Sequence, residues 1–96
     1  MTIKVLDEAA KEFEDAVTYY DEKQPGLGHR LRDELDAHVR WIRKHPNLPR
    51  LRAGGYRRVN LRVFPFYVAY VIRDQVIWVV AIANAYRKPH YWIGRL

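Results

Sequence analysis

The sequence predicts an α+β fold in the order β-α-α-β-β-β, a helical hairpin packed on one face of a small antiparallel sheet. Three observations predict it. Two consecutive stretches repeat apolar residues every three or four positions, the period changes to two at Tyr56, and a nearly all-apolar run follows from Val76 to Asn84. Residues 1–96 are expected to form a single domain, because a chain of this length leaves little room for a second core. With 49% hydrophobic residues the chain carries enough apolar surface to fold, unlike a polar disordered segment.

Thr2 to Leu6 reads as a first strand, with Ile3 and Val5 as its apolar positions. Asp7 suits a helix N-cap, and Glu8 and Glu12 follow where the helix dipole favours negative charge. Ala10, Phe13, Ala16, Val17 and Tyr20 form the stripe of an amphipathic helix ending near Lys23, where Gln24-Pro25-Gly26 breaks it. Leu27, Leu31, Leu35, Val39 and Ile42, with Trp41 beside them, mark a second helix. Arg40, Arg43, Lys44 and His45 lie in its last turn and Pro46 stops it. So short a break between two apolar stripes predicts an antiparallel hairpin.

Arg50 to Gly55 carries no clear period and allows at most a short helical turn before Gly54-Gly55. From Tyr56, Arg57, Val59, Leu61 and Val63 alternate with Tyr56, Arg58, Asn60 and Arg62, which predicts a strand with one apolar and one basic face. Phe64 to Ile72 is rich in aromatic and β-branched residues, with Pro65 near its start where a lost N–H is tolerated. A tight turn at Arg73-Asp74-Gln75 leads into Val76–Asn84, apolar on both faces and therefore expected at the centre of the sheet. The hairpin is expected on one sheet face, leaving the other for Arg58, Asn60 and Arg62.

Charge is distributed unevenly. Residues 1–36 hold ten acids against five bases, and residues 37–96 hold twelve bases against the single acid Asp74, within a total of +6. Such clustering suits an anionic partner, either nucleic acid or an acidic protein segment. There is no cysteine, which excludes disulfides and thiolate metal sites and fits a reducing cytoplasm. Met1 to Val5 lacks the apolar run of a signal peptide, and the longest apolar run, Val76 to Ala83, is far short of the roughly 18 residues of a membrane helix. A cytoplasmic protein without membrane contact is therefore expected.

Several chemistries are excluded. His29, His38, His45 and His90 show no metal-ligand spacing, and Gly26-Leu27-Gly28 lacks the strand and lysine of a phosphate loop. Thr2 and Thr18 are the only aliphatic hydroxyls, so a nucleophilic triad is not available. No metal or cofactor is expected. What remains is arginine, tyrosine and histidine. Arg57, Arg58 and Arg62 with Asn60, and Arg87 and Lys88 in the tail, are candidates to hold phosphates or an acidic partner, and Tyr91 and Trp92 to stack on a base or latch the tail to the core. RNA cleavage would need a group to activate the 2′-hydroxyl and one to protonate the leaving oxygen, for which Tyr91 and His90 are the candidates.

The run Phe64-Pro65-Phe66-Tyr67-Val68-Ala69-Tyr70, then Val79-Val80-Ala81-Ile82-Ala83, then Arg87-Lys88-Pro89-His90-Tyr91-Trp92, resembles the signature of the RelE/ParE toxin superfamily. The first helix, Glu12 to Tyr20, and Leu27-Gly28 opening the second are also similar to that family, so the resemblance spans nearly the whole chain. It implies the toxin of a type II toxin–antitoxin pair, with growth inhibition and plasmid stabilization as its effects. It also implies a hetero-oligomer with a cognate antitoxin whose acidic or amphipathic C-terminal segment covers it.

The resemblance has departures. Asn84 stands where many relatives have histidine, Tyr86 where the first of two paired arginines is common, and the lysines of RelE-type ribonucleases are absent. Arginine replaces their charge but is a poor proton donor and acceptor. These departures favour the ParE side, a non-enzymatic poison of DNA gyrase. A ribosome-dependent mRNA endonuclease remains the alternative, with Arg58, Arg62 and Arg87 on phosphates and Tyr91 or His90 in proton transfer. A non-toxic nucleic-acid-binding relative is the third.

Overall fold

A computed structural model describes all 96 residues. Strand β1 (Thr2–Val5) leads into helix α1 (Asp7–Lys23) and helix α2 (Leu27–Lys44). Strands β2 (Arg57–Asn60), β3 (Phe66–Arg73) and β4 (Val76–Asn84) follow, and a short 3₁₀ turn, Ile93–Arg95, closes the chain. The strands form one sheet in the order β1-β4-β3-β2. No helix is long and apolar enough to cross a membrane.

The α+β fold is the expected one, with one difference in the sheet. β2, β3 and β4 are antiparallel, but β1 pairs parallel to β4, Thr2 opposite Val76 and Val5 opposite Val79, so the sheet is mixed rather than wholly antiparallel. Alternating apolar residues in a four-residue strand carry no information on direction. β4 is central over its first half, as its apolar run predicts, and beyond Val79 it has no strand on the β1 side.

The hairpin forms as its stripes predict. α1 buries Ala9, Phe13 and Ala16, and α2 buries Gly28, Leu31, Leu35 and Ile42. The buried alanine of the first turn is Ala9, not Ala10, which is exposed. Asp7 is the first helical residue and not the cap; Leu6 occupies the cap position without a side-chain bond, leaving Asp7 and Glu8 to act on the dipole. Gly26 adopts φ +89°, which starts α2 directly after α1.

Gly28 fixes how closely the helices pack. Its N–H donates to Asp21 Oδ1 at 2.7 Å, and a Cβ there would lie 2.5 Å from the Val17 carbonyl oxygen. Because the obstacle is backbone, Gly28→Ala must push the helices apart. We expect it to destabilise the protein by about 1–3 kcal/mol, measured by urea denaturation, while Gly94→Ala, in open space, costs little.

The other connections differ in detail from expectation. Arg50–Gly55 forms no helical turn; Arg52 bridges to Tyr56 across Gly54 and Gly55, both at positive φ. β2 ends at Asn60, so Leu61, Arg62 and Val63 are not strand residues. Leu61 and Phe64 turn into the core, and Glu34 accepts hydrogen bonds from the N–H groups of Arg62, Val63 and Phe64 at 2.6, 3.1 and 3.3 Å. Those bonds satisfy donors that a strand would have paired. Asp74 and Gln75, both at positive φ, make the two-residue β3–β4 turn.

A β-bulge in β4 sets both faces of the sheet. Ala69 pairs with Ala81 but Tyr70 pairs with Val79, which leaves Val80 as the extra residue. Ile77 and Val79 face the helices before the bulge and Ile82 after it, while Val80, Ala81 and Ala83 join the opposite face. That opposite face is not the open basic surface expected. Trp92 of the tail and Tyr56 cluster there with Tyr67, Ala69 and Val71 of β3, so the tail completes a second core.

Candidate functional site

The tail crosses the sheet face remote from the helices and is anchored at both edges. On the β2 side, Trp92 is 1% exposed, and its indole N–H donates to the Tyr67 hydroxyl at 2.9 Å. The Tyr56 ring stands edge-on to Trp92 at 4.6 Å, and its hydroxyl is 2.8 Å from His90 Nε2. His90 adopts φ +64°, a left-handed conformation rare for residues with a Cβ, and its carbonyl accepts from Ile93 N–H. The strained residue is where the tail reverses.

The opposite anchor is Glu12 on α1. One carboxylate oxygen accepts from the Ile82 N–H at 3.1 Å and from Arg95 Nη1 at 2.9 Å; the other accepts from Arg95 Nη2 at 3.2 Å and from the Tyr91 hydroxyl. Arg95 Nη1 also donates to the Val80 carbonyl at 3.0 Å. These groups occupy the stretch of β4 that β1 leaves uncovered, so two side chains replace the hydrogen bonds of a missing strand. Arg95 and Glu12 are only 20% and 15% exposed, which makes their ion pair far less screened than the surface pairs Lys11–Asp15 and Arg32–Glu14.

Electrostatics follow from this geometry. Burial, then the hydrogen bond to Glu12 and its charge, raise the Tyr91 hydroxyl well above the ordinary tyrosine range, against the pull of Arg87 and Arg95. Burial opposes the Arg95 charge, but Glu12 outweighs it and the guanidinium pKa is raised. Burial also pushes Tyr70 up to about 12, with Arg57 pulling the other way; its hydroxyl donates to the Pro46 carbonyl.

The candidate residues separate into four places. Arg58 and Asn60 lie together on the tail-bearing sheet face: Arg58 donates to Asn60 Oδ1 at 3.0 and 3.1 Å and lies over the Tyr67 ring at 3.9 Å. Arg57 turns the other way and donates to the Pro49 carbonyl at 3.0 Å, holding the α2–β2 connector. Arg62, off the strand, lines a shallow cleft with Ala37, His38 and Trp41. Arg87 lies over the Tyr91 ring at 4.1 Å, in a cleft of about 280 Å³ between α1 and the end of β4 that also holds Glu12, Tyr19, Tyr20 and Asn84. Lys88 is exposed beside Arg87, His90 is tied to Tyr56, and Trp92 is buried.

Arg62 is thus not brought to Arg87 and Tyr91, because β2 ends before it. Sequence reasoning missed Glu12 and Arg95. Glu12 follows Ala9 by three residues and precedes Ala16 by four, which places an acid on the apolar stripe of α1; that position was its signal. Arg95 carried none. Among His, Cys, Asp and Glu side chains, no group of three is placed to hold a metal ion.

Residues 3–89 match a family profile described as the ParE toxin of the type II toxin–antitoxin system parDE. Among solved structures, a chain of the chromosomal ParDE TA system from P. aeruginosa superposes with a TM-score of 0.77 at 17% identity, over 88% of this chain and 95% of that one. At this identity the likeness speaks to the fold. No curated protein matches the sequence.

Proposed function

Because the chain belongs to the ParE toxin family of type II toxin–antitoxin systems, we propose that it acts in the cytoplasm as a non-enzymatic growth inhibitor that poisons DNA gyrase. The observation that carries this reading is the state of Tyr91. Its proton is directed at Glu12 and its pKa is raised, so it is a poor acid and a poor base near neutral pH. His90 is engaged by Tyr56, and Arg62 lies in a different cleft from Arg87. A ribonuclease would need these groups around one phosphate; an inhibitor that works by contact does not.

The contact surfaces we assign are two: Arg58 and Asn60 on the tail-bearing face of β2, and Arg87 with the exposed Lys88 at the cleft between α1 and the end of β4. Arg57 and Trp92 support them from within, one fixing the connector and the other the tail. A cognate antitoxin with an acidic or amphipathic C-terminal segment would neutralise the toxin in a hetero-oligomer, screening these cations as it binds.

The test is pulse-labelling of DNA and protein synthesis minutes after induction of the chain alone. DNA synthesis is expected to fall first, with a DNA-damage response, and Tyr91→Phe is expected to retain growth arrest at matched levels of folded protein. Early loss of protein synthesis, with Tyr91→Phe harmless though folded, would instead assign ribosome-dependent mRNA cleavage. Unimpaired growth with the folded wild-type chain would leave the non-toxic reading.

A further inference from the structure

The cleft that holds Arg62 plays no part in the function proposed above. It measures about 340 Å³, at the small end of ligand sites, and is lined by Ala37, His38 and Trp41 of α2 and by Arg62 beyond β2. Helix geometry explains its floor. Ala37 and His38 precede Trp41 by four and three residues, so the three share a face, and the alanine methyl is too short to cover the indole. Trp41 is left 38% exposed. His45 packs against the Trp41 ring at 5.1 Å between centres but does not line the cleft, so the flank of the indole toward Ala37 and Arg62 stays bare.

The polar groups of the cleft are anchored but unspent. The Arg62 N–H donates to Glu34 at 2.6 Å, which places the residue, while its guanidinium makes no hydrogen bond or ion pair. His38 Nδ1 is bonded to the Glu34 carbonyl at 2.8 Å, which leaves Nε2 free. Arg40 and Lys44, one residue before Trp41 and three after it, are exposed and also without ion pairs. Acids do not offset these cations. The Glu34 carboxylate is taken by the N–H groups of Arg62, Val63 and Phe64, Asp33 lies 3.6 Å from His29, and Asp36 turns about 140° from Trp41 around the helix.

We infer that this cleft binds an unpaired nucleic-acid strand, with one base lying on the Trp41 indole over Ala37, its phosphate on Arg62, and the neighbouring phosphates on Arg40 and Lys44. A flat indole beside a methyl offers a stacking surface for any base but no pocket for a branched aliphatic side chain. Guanidinium and ammonium groups with no acid to answer them suit phosphates, and three of them exceed what one phosphate needs, which favours a strand over a mononucleotide. The ring faces of a duplex are hidden in its stack, so the strand is unpaired. The cleft contains neither Arg87 nor Tyr91, so the strand is held and not cut, and the inference does not rest on the gyrase reading.

The experiment titrates the isotopically labelled full chain with a short oligothymidylate, followed by amide and indole NMR shifts. Parallel titrations use thymidine monophosphate, inorganic phosphate, a DNA duplex, and an Asp/Glu-rich peptide carrying leucines. Shifts are expected at the Trp41 indole and at amides 37–45 and 61–63, with the strand bound most tightly and phosphate alone leaving the indole unmoved. Affinity should fall with salt at a log–log slope of about −2, the value for three cations on a single strand. Trp41→Ala is expected to weaken binding about tenfold or more, and Trp41→Phe to recover part of it. Ala37→Leu, an exposed change favourable in a helix, covers the indole and should weaken binding with ring and charges intact. Arg62→Gln should reduce the salt slope by about 0.7, while Arg43→Gln, about 160° from Trp41 around the helix, should change affinity little. An unmoved indole at millimolar strand, equal affinity for duplex or mononucleotide, undiminished binding by Ala37→Leu, or tighter binding of the peptide would each overturn the inference.

Discussion

Replacing Glu12 with alanine is expected to destabilise the protein by about 3–5 kcal/mol, the usual cost of removing one member of a largely buried ion pair. The change does more than delete a charge. It leaves Arg95 with only the Val80 carbonyl, the Tyr91 hydroxyl without its acceptor, and the Ile82 N–H unpaired at a strand edge. Each orphaned donor adds a desolvation cost. The tail should loosen before the rest unfolds, so amide exchange is expected to accelerate at Tyr91–Leu96 and at Ile82 while the hairpin core around Leu31 stays protected. Glu12→Gln keeps one acceptor and should lie between alanine and wild type. A loss below about 1 kcal/mol for alanine would mean that the network is a surface decoration.

Trp92→Ala is expected to cost about 3–5 kcal/mol by chemical denaturation, as for other buried aromatic truncations. Trp92 is the largest side chain among those almost wholly buried, and it fills the space between Tyr56 and Tyr67. Its loss empties the second core and leaves the Tyr67 hydroxyl without its donor. Trp92→Phe restores most of the apolar contact without the N–H and should recover more than half of the loss. The effect on toxicity separates support from contact. If Trp92 acts only by holding the tail, Trp92→Phe keeps growth arrest, whereas Arg87→Ala and Lys88→Ala reduce it in a folded protein.

Much of this was legible in the chain. Apolar spacing located α1 and α2 almost to the residue, because a helix buries one stripe and Phe13, Ala16, Leu31, Leu35 and Ile42 recur at its period. The unbroken apolar run of β4 announced a strand covered on both faces, and the order of motifs through the last strands and tail announced the family. The candidate site was legible only as a collection of residue types.

Which of those residues meet was decided by tertiary structure, for a physical reason in each case. The bulge at Val80 is silent in the sequence because a run that is apolar at every position has no alternation to break. β1 reads alike in either direction, yet its parallel placement ends at Val79 and exposes the edge that Glu12 and Arg95 then satisfy across 83 positions of sequence. The alternation from Tyr56 to Val63 runs on past the true end of β2, because local pattern takes no account of the Glu34 carboxylate that draws the N–H groups of residues 62–64 out of the ladder. Sequence periodicity reports which side chains must leave water. Where the backbone hydrogen bonds go, and so which cations share a surface, depends on partners far along the chain, and only the folded arrangement supplies them.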